Sequence, residues 1–235
     1  TLHAALSCYR QQHALVRKRL PRKRIMVSPY WDARKQRPTG VTPDSVREGI
    51  GHIVRTDIDI IAPQDGRGTG KVGLFWRSRA GDPVAPGLRC VNGVGETTYG
   101  EAYHAGTRDF YQAAREAVDA LADEGFKVQL WANVEGFAPG KGIPCGSFTT
   151  SQRTTKQRLD RQIMMAGTHP AKLVSYMWDS YYTCQAGHPE TLADAIFANP
   201  DDPIPVEARR VDGRLMVVGY HLAGGDIEIS DGNRP

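Results

Sequence analysis

The sequence predicts an α/β fold built around a parallel β-sheet. Short apolar segments alternate with segments of helical periodicity, which is the pattern of βαβ units with right-handed connections. Each apolar segment ends in polar residues that precede a loop. The chain has 235 residues, 40% of them hydrophobic, which is enough for a substantial core. No apolar run is long enough to predict a membrane span.

Four strands and five helices are predicted in regular alternation. The strands are at 25–27, 58–63, 127–135 and 173–178, and the helices are at 2–19, 43–55, 101–124, 151–166 and 189–198. Thr42 is the predicted N-cap of the second helix, and Gly125 is the predicted C′ residue that ends the third. Long glycine-rich loops are expected at 66–100 and 136–147.

The number of βα units predicts that the fold extends beyond this chain. Four units are half of a closed (β/α)8 barrel, and an open four-stranded sheet would leave its edges unprotected. We therefore expect residues 1–200 to be the C-terminal half of a barrel; the alternative is a small complete α/β protein. Asp212-Gly213 predicts a β hairpin between 206–211 and 214–220. Residues 201–235 are expected to form this hairpin extension, or the start of a small β domain with a last strand at 227–229.

The net charge of +4 is concentrated in one run, Arg17 to Arg24. The run lacks interleaved aromatic residues and any nucleic-acid motif, so it is interpreted as the solvated end of a helix. Binding of nucleic acid or an acidic polymer is the alternative. The segment Gly66 to Lys71 has neither the spacing nor the hydroxyl residue of a phosphate loop. No nucleic-acid or nucleotide partner is predicted.

The cysteines and histidines show no spacing typical of metal ligands. The seven histidines lack an HExxH pattern, and no cysteine lies two or three residues from another. No metal ion or other cofactor is therefore expected, and the absence of a GxSxG motif argues against a serine hydrolase. The four cysteines are either free thiols or paired in disulfides, and they are Cys8, Cys90, Cys145 and Cys184.

Glu135 is the main catalytic candidate. It follows an apolar strand and precedes Gly136, a position at the mouth of a parallel sheet where a carboxylate can act as nucleophile or as acid/base. Trp131 and Asn133 should point the same way as Glu135, because side chains alternate along a strand. An indole, an amide and a carboxylate on one face suit a carbohydrate. The alternatives are a solvated loop carboxylate and a helix-cap partner.

Polar and aromatic residues also follow the other predicted strands. Gln64 and Asp65 end the second strand and suit the recognition of hydroxyl groups, although Asp65-Gly66 is equally typical of a simple turn. Tyr30 follows the first strand. Asp179 and Tyr181 follow the fourth, where aromatic rings either stack on sugars or cap the core. The neighbouring Trp178 is expected to be a core residue.

Four segments resemble an uncharacterised bacterial family of glycosidase-like (β/α)8 barrels that is associated with polysaccharide genes. They are IMVSPYW, DIDIIAPQDGRG, VQLWANVEGF and VSYMWDSYY, and the resemblance covers about residues 5–185. It implies that the strands here are strands five to eight of the barrel. Glu135 would then be the strand-seven nucleophile, and the strand-four acid/base would be supplied by another half-barrel in the same polypeptide or in a second chain. A secreted or periplasmic location is implied by the resemblance alone.

Two functions are favoured by these observations, and a third, weaker alternative is a structural α/β subunit whose strand-end aromatic residues only cap its core. The first is a glycoside hydrolase that acts on a poly- or oligosaccharide with retention, with Glu135 as nucleophile and Asp65 as a poorer substitute for the acid/base. In this hypothesis the sugar is bound by Tyr30, Gln64, Trp131, Asn133, Asp179 and Tyr181. The second is a non-catalytic carbohydrate-binding or polysaccharide-assembly protein on the same barrel scaffold, because one fold can carry many functions.

Overall fold

The computed structural model describes residues 2–29, 43–64, 89–91, 96–139, 151–176, 178–185 and 188–222. Within them the elements run in chain order as α1 (Leu2–Arg19), β1 (Met26–Val27), α2 (Pro43–Val54), β2 (Ile60–Ile61), β3 (Arg89–Val91), β4 (Glu96–Thr98), α3 (Tyr99–Asp123), β5 (Gln129–Glu135), β6 (Phe137–Pro139), β7 (Ser151–Arg153), α4 (Lys156–Ala166), β8 (Lys172–Tyr176), a π-helix (Trp178–Tyr182), α5 (Leu192–Ala198), β9 (Ile204–Val211) and β10 (Arg214–Tyr220).

The predicted α/β fold with a parallel sheet is confirmed. Four strands pair in parallel in the order β1-β2-β5-β8, which is also their order along the chain. When parallel strands are added in sequence by right-handed connections, the helices between them lie on the same face. In agreement, α2 packs against α3 and α3 packs against α4. The sheet is therefore wound in one direction, with a single helix layer.

The hydrophobic core fills the space between the sheet and this helix layer. Val46 and Ile50 of α2 and Phe110 and Ala114 of α3 are fully buried there together with Leu130 of β5. Their spacing of four residues places each pair on one side of its helix, which explains why α2 and α3 form where apolar residues recur at that interval. Burial of each large aliphatic or aromatic side chain contributes about 1.5–3 kcal/mol.

The predicted hairpin is also present. Asp212 and Gly213 both have positive φ, 50° and 77°, as a two-residue turn between twisted strands requires. A bulge lies between Val218 and Gly219, where a Cβ on Gly219 would collide with the carbonyl oxygen of Ile204. The hairpin packs against α4 through β9.

Several details differ from the sequence prediction, and two others lie outside the described residues. The polar helix expected from 151 begins at Lys156, because the Thr155 side chain caps it by accepting from the Arg158 N–H at 3.2 Å. Residues 151–153 instead form β7, which pairs with β6. Strands β3 and β4 form an antiparallel pair within the region expected to be a loop. The predicted Thr42 cap and the strand at 227–229 lie outside the described residues.

Gly125 ends α3 as predicted, with φ of 95°. None of the described helices combines the length and the apolar character needed to cross a membrane.

Candidate functional site

The candidate site lies at the carboxyl edge of the parallel sheet. Glu135 ends β5 and pairs with Tyr176, which ends β8. On the other side of β5, the Asn133 N–H donates to the Pro63 carbonyl at 3.2 Å, just before Gln64. The Gln64 N–H in turn donates to the Pro29 carbonyl at 2.9 Å. Backbone hydrogen bonds therefore continue between neighbouring chain segments past the last residues of β1 and β2.

Side chains alternate along β5 as the sequence predicts. Leu130, Ala132 and Val134 belong to the core beneath the helices. Residues at odd positions therefore point to the opposite face of the sheet, where Asn133 is buried and Glu135 has no exposed surface. A carboxylate that ends a central strand and is fully buried is removed from bulk water, so it is not a solvated loop residue.

Gln162 holds the backbone of Glu135. Its side-chain amide donates to the Glu135 carbonyl at 3.2 Å, and its side-chain oxygen accepts from the Glu135 N–H at 3.2 Å. Gln162 is itself buried on the inner side of α4, in line with Leu159 and Ala166. Sequence reasoning missed it; the available signal was a glutamine at an apolar position of a helix.

Asn133 joins the site to β1. Its Nδ2 donates to the Ser28 hydroxyl at 2.8 Å, and that hydroxyl donates to the Ala62 carbonyl at 2.7 Å. The Asn133 Oδ1 is buried and, within the part of the chain that the structure describes, accepts no hydrogen bond. A buried acceptor without a hydrogen bond lowers the stability of the fold unless a ligand or water donates to it. Oδ1 is therefore suited to accepting a hydrogen bond from a hydroxyl group.

Trp131 lies deeper in the sheet than Glu135. Four residues at about 3.3 Å each separate the two positions by about 13 Å. The indole N–H donates to Gln129 Oε1 at 3.1 Å, and the Lys172 ammonium lies 5.4 Å from the ring centroid. The lysine therefore covers part of the indole by a cation–π contact, and the ring cannot contact the same sugar unit as Glu135.

An aromatic layer follows β8 in the π-helix. Tyr181 is fully buried, with its ring centroid 5.0 Å from that of Phe137, so it packs within the core. The prediction that Trp178 is a core residue is wrong. Trp178 is 56% exposed and stacks on Tyr182 at a centroid distance of 5.5 Å and an angle of 13°. The chemical type of a residue does not reveal which side of an irregular turn it occupies.

Gly136 allows this layer to approach the catalytic candidate. A Cβ at Gly136 would be 2.6 Å from Cε2 of Tyr182, so the tyrosine ring lies directly on the backbone next to Glu135. Trp178, which stacks on Tyr182, is thereby brought to the same edge. It is the exposed aromatic ring that sequence reasoning did not assign to the site.

Tyr182 is also fixed by a hydrogen bond. Burial raises the pKa of its phenol, an effect that the Ser175 contact partly opposes. The neutral hydroxyl donates to Ser175 Oγ at 2.5 Å, and Ser175 donates to the Val134 carbonyl at 2.8 Å. This chain links the aromatic layer to β5.

The remaining predicted residues are distributed as follows. Gln64 lies at the carboxyl edge and is partly buried. Asp179 is exposed within the π-helix, and its carbonyl accepts from the Thr183 hydroxyl at 2.9 Å. Tyr30 and Asp65 lie outside the described residues. Among the residues that are described, no group of three His, Cys, Asp or Glu side chains is placed to hold a metal ion.

The cysteines are not all in one state. Cys184, just after the π-helix, is disulfide-bonded, whereas Cys8 on α1 is a free and exposed thiol. The sequence left both states open.

Comparison with known proteins gives no assignment. The chain matches no protein-family model, no curated protein and no solved structure.

Proposed function

We propose that this chain is the C-terminal half of a glycosidase-type (β/α)8 barrel, and that the carboxyl edge of its sheet acts on a poly- or oligosaccharide. The order β1-β2-β5-β8 with helices on one face is the arrangement found in half of such a barrel. Four more βα units, in the same polypeptide or a second chain, would continue the sheet beyond β1 and β8 and pair its edges.

The single observation that carries the proposal is the complete burial of Glu135 at the end of β5. Enzymes of this fold place their catalytic groups at the carboxyl ends of the strands. In the proposed retaining mechanism, the Glu135 carboxylate attacks the anomeric carbon and the glycosidic bond to the leaving oxygen breaks. Water then hydrolyses the glycosyl–enzyme ester and releases the sugar with its original configuration.

A second carboxyl group about 5–5.5 Å from the first is needed to protonate the leaving oxygen. The resemblance assigns this group to strand four, and therefore to the completing half-barrel. Asp65 remains the substitute within this chain.

Other residues at the edge are proposed to bind the sugar. Asn133 Oδ1 and the Gln64 amide would exchange hydrogen bonds with hydroxyl groups. Trp178 offers an exposed ring on which the apolar face of a pyranose can stack, since it is already supported from behind by Tyr182. Asp179 lies next to it as a further acceptor.

A non-catalytic carbohydrate-binding or polysaccharide-assembly role is the second candidate. One observation favours it: of the described residues at the strand ends, Glu135 is the one buried carboxylate, while Asp179 is exposed. A site with one carboxylate and an aromatic platform can bind a glycan without cleaving it.

The disulfide at Cys184 supports a secreted or periplasmic location for either function, because disulfides persist in oxidising compartments.

Release of dinitrophenol from dinitrophenyl glycosides, whose leaving group needs no general acid, should be measured as turnover for the parent protein, Glu135→Gln and the control Glu48→Gln. Binding of a panel of polysaccharides should be measured for the same three proteins. Glu48 is an exposed carboxylate of α2 that does not belong to the candidate site, so its variant should behave as the parent does. Loss of turnover only in Glu135→Gln supports the hydrolase. Binding by all three proteins without turnover supports the second candidate. Turnover that survives in Glu135→Gln would remove Glu135 as nucleophile, and the absence of both binding and turnover would contradict both functions.

A further inference from the structure

A basic surface lies at the amino edge of the sheet, opposite the edge that holds Glu135. α1 ends at Arg19, a turn follows, and β1 begins at Met26. The turn is closed by a hydrogen bond from the Lys23 N–H to the Leu20 carbonyl at 2.9 Å. The helix end and the turn carry five exposed cations, and one of them, Arg24, interacts electrostatically with Asp59. The other four form what we call the basic edge, and they are Lys18, Arg19, Arg22 and Lys23.

The acidic residues nearby are already engaged by a different cation. Arg17 contacts Asp57 at 3.1 Å and Asp59 at 2.9 Å, and Asp59 also accepts from the Ile25 N–H at 2.6 Å. These contacts fasten α1 to the start of the sheet. In contrast, the four side chains of the basic edge form no ion pair with any residue that the structure describes. Their combined charge of +4 equals the net charge of the chain.

Two leucines lie among these cations with more than half of their surface in water. Leu15 and Leu20 are each 52% exposed. Leu15 precedes Lys18 and Arg19 by three and four residues, so the three side chains share one face of α1. Cations beside exposed leucines match a lipid interface, where the leucines enter the acyl boundary while the cations contact headgroup phosphates. A soluble polyanion would contact the cations, but the leucines would add little to its binding free energy.

We propose that the basic edge, with Leu15 and Leu20, docks the protein on the surface of an anionic lipid bilayer. Contact is peripheral and involves the loop end of α1 and no membrane-crossing segment. Because the parallel strands run from this edge towards Glu135, docking orients the candidate site away from the lipid. The site then stays open to a polymer in the surrounding solution.

Sedimentation with vesicles tests the proposal. Vesicles of equal parts phosphatidylglycerol and phosphatidylcholine should bind the protein at low salt, and vesicles of phosphatidylcholine alone should not. Each basic residue near an anionic surface contributes about a fivefold gain in binding. Replacing the four residues of the basic edge with glutamine should therefore lower vesicle binding by roughly several hundredfold.

A matched control removes the same charge elsewhere. Arg108, Arg161, Arg210 and Arg214 are exposed cations on other parts of the chain, and their joint replacement with glutamine should leave most of the binding intact. Equal losses in the two quadruple variants would overturn the proposal, because binding would then depend only on net charge. Failure of the parent protein to bind the anionic vesicles would also overturn it.

The leucines separate a bilayer from a soluble polyanion. Leu15→Gln with Leu20→Gln should weaken vesicle binding by about tenfold and leave binding to dextran sulfate unchanged, since only the bilayer offers an apolar layer. Vesicle binding that is unaffected by this double change would contradict a lipid partner. All variants alter exposed side chains, and circular dichroism verifies that each retains the parent fold.

Discussion

Replacing Gln162 tests how the catalytic candidate is held in place. The Gln162 side chain satisfies both the N–H and the carbonyl of Glu135, each at 3.2 Å, from a buried position on α4. Gln162→Leu keeps a similar volume and removes both hydrogen bonds. It leaves two main-chain groups buried without that partner, and each such group costs about 1–3 kcal/mol.

The expected loss in the free energy of unfolding is about 2–4 kcal/mol, because local rearrangement and water recover part of the full cost. For a chain of this size, each kcal/mol lowers the melting temperature by about 2–4 °C. Urea unfolding followed by circular dichroism measures the first quantity, and a thermal scan measures the second. Activity or glycan binding should fall by more than the loss of folded protein explains, because the end of β5 carries Glu135.

Gln157→Leu is the matched control, because Gln157 is an exposed residue of the same helix. The same chemical change there should alter stability by less than about 0.5 kcal/mol. If Gln162→Leu were as mild as Gln157→Leu, the hydrogen bonds of Gln162 would not support the strand end, and our account of the site would fail at that point.

Two further predictions concern contacts around the sheet. Tyr182→Phe removes the donor to Ser175, so urea unfolding should show a loss of about 1 kcal/mol; no loss would mean that this hydrogen bond is not made in solution. Burial acts to raise the pKa of Asp59, but hydrogen bonds from Arg17 and from the Ile25 N–H lower it overall. The folded pKa therefore lies below the unfolded value of about 3.9. The resulting stabilisation is present above about pH 4 and is lost as the pH falls through the lower, folded value. The urea midpoint of unfolding should be measured for the parent and for Asp59→Asn at a series of pH values. The parent's higher midpoint should approach that of the variant as the pH falls through this acid range. A difference that stays constant would show that protonation of Asp59 is not coupled to unfolding.

The sequence predicted the elements whose signals are periodic or depend on turn chemistry. Helix α3 was expected at 101–124 and is found at Tyr99–Asp123, because apolar residues recur along it and Gly125 ends it with positive φ. The β9–β10 hairpin follows from Asp212-Gly213, whose backbone angles suit a two-residue turn. In each case the determining interaction is local in the chain.

The sequence did not predict features that depend on distant partners. Strand β7 has three residues and no periodic signal, and it forms because β6 lies beside it. The contact of Gln162 with Glu135 joins residues 27 positions apart. The exposure of Trp178 depends on a π-helix that turns Tyr181 into the core instead. The residue types at the carboxyl edge could be proposed from the sequence, but their burial and hydrogen bonds could not.

Labelling of Glu135 tests the central claim most directly. Dinitrophenyl 2-deoxy-2-fluoro glycosides carry a leaving group that needs no general acid, so a nucleophile can be trapped even when the acid/base belongs to another half-barrel. The protein, bound to such a glycoside of the sugar it recognises, should gain one glycosyl mass on the peptide that contains Glu135. An adduct on another carboxylate, or an unlabelled protein that still hydrolyses the sugar, would contradict Glu135 as the nucleophile.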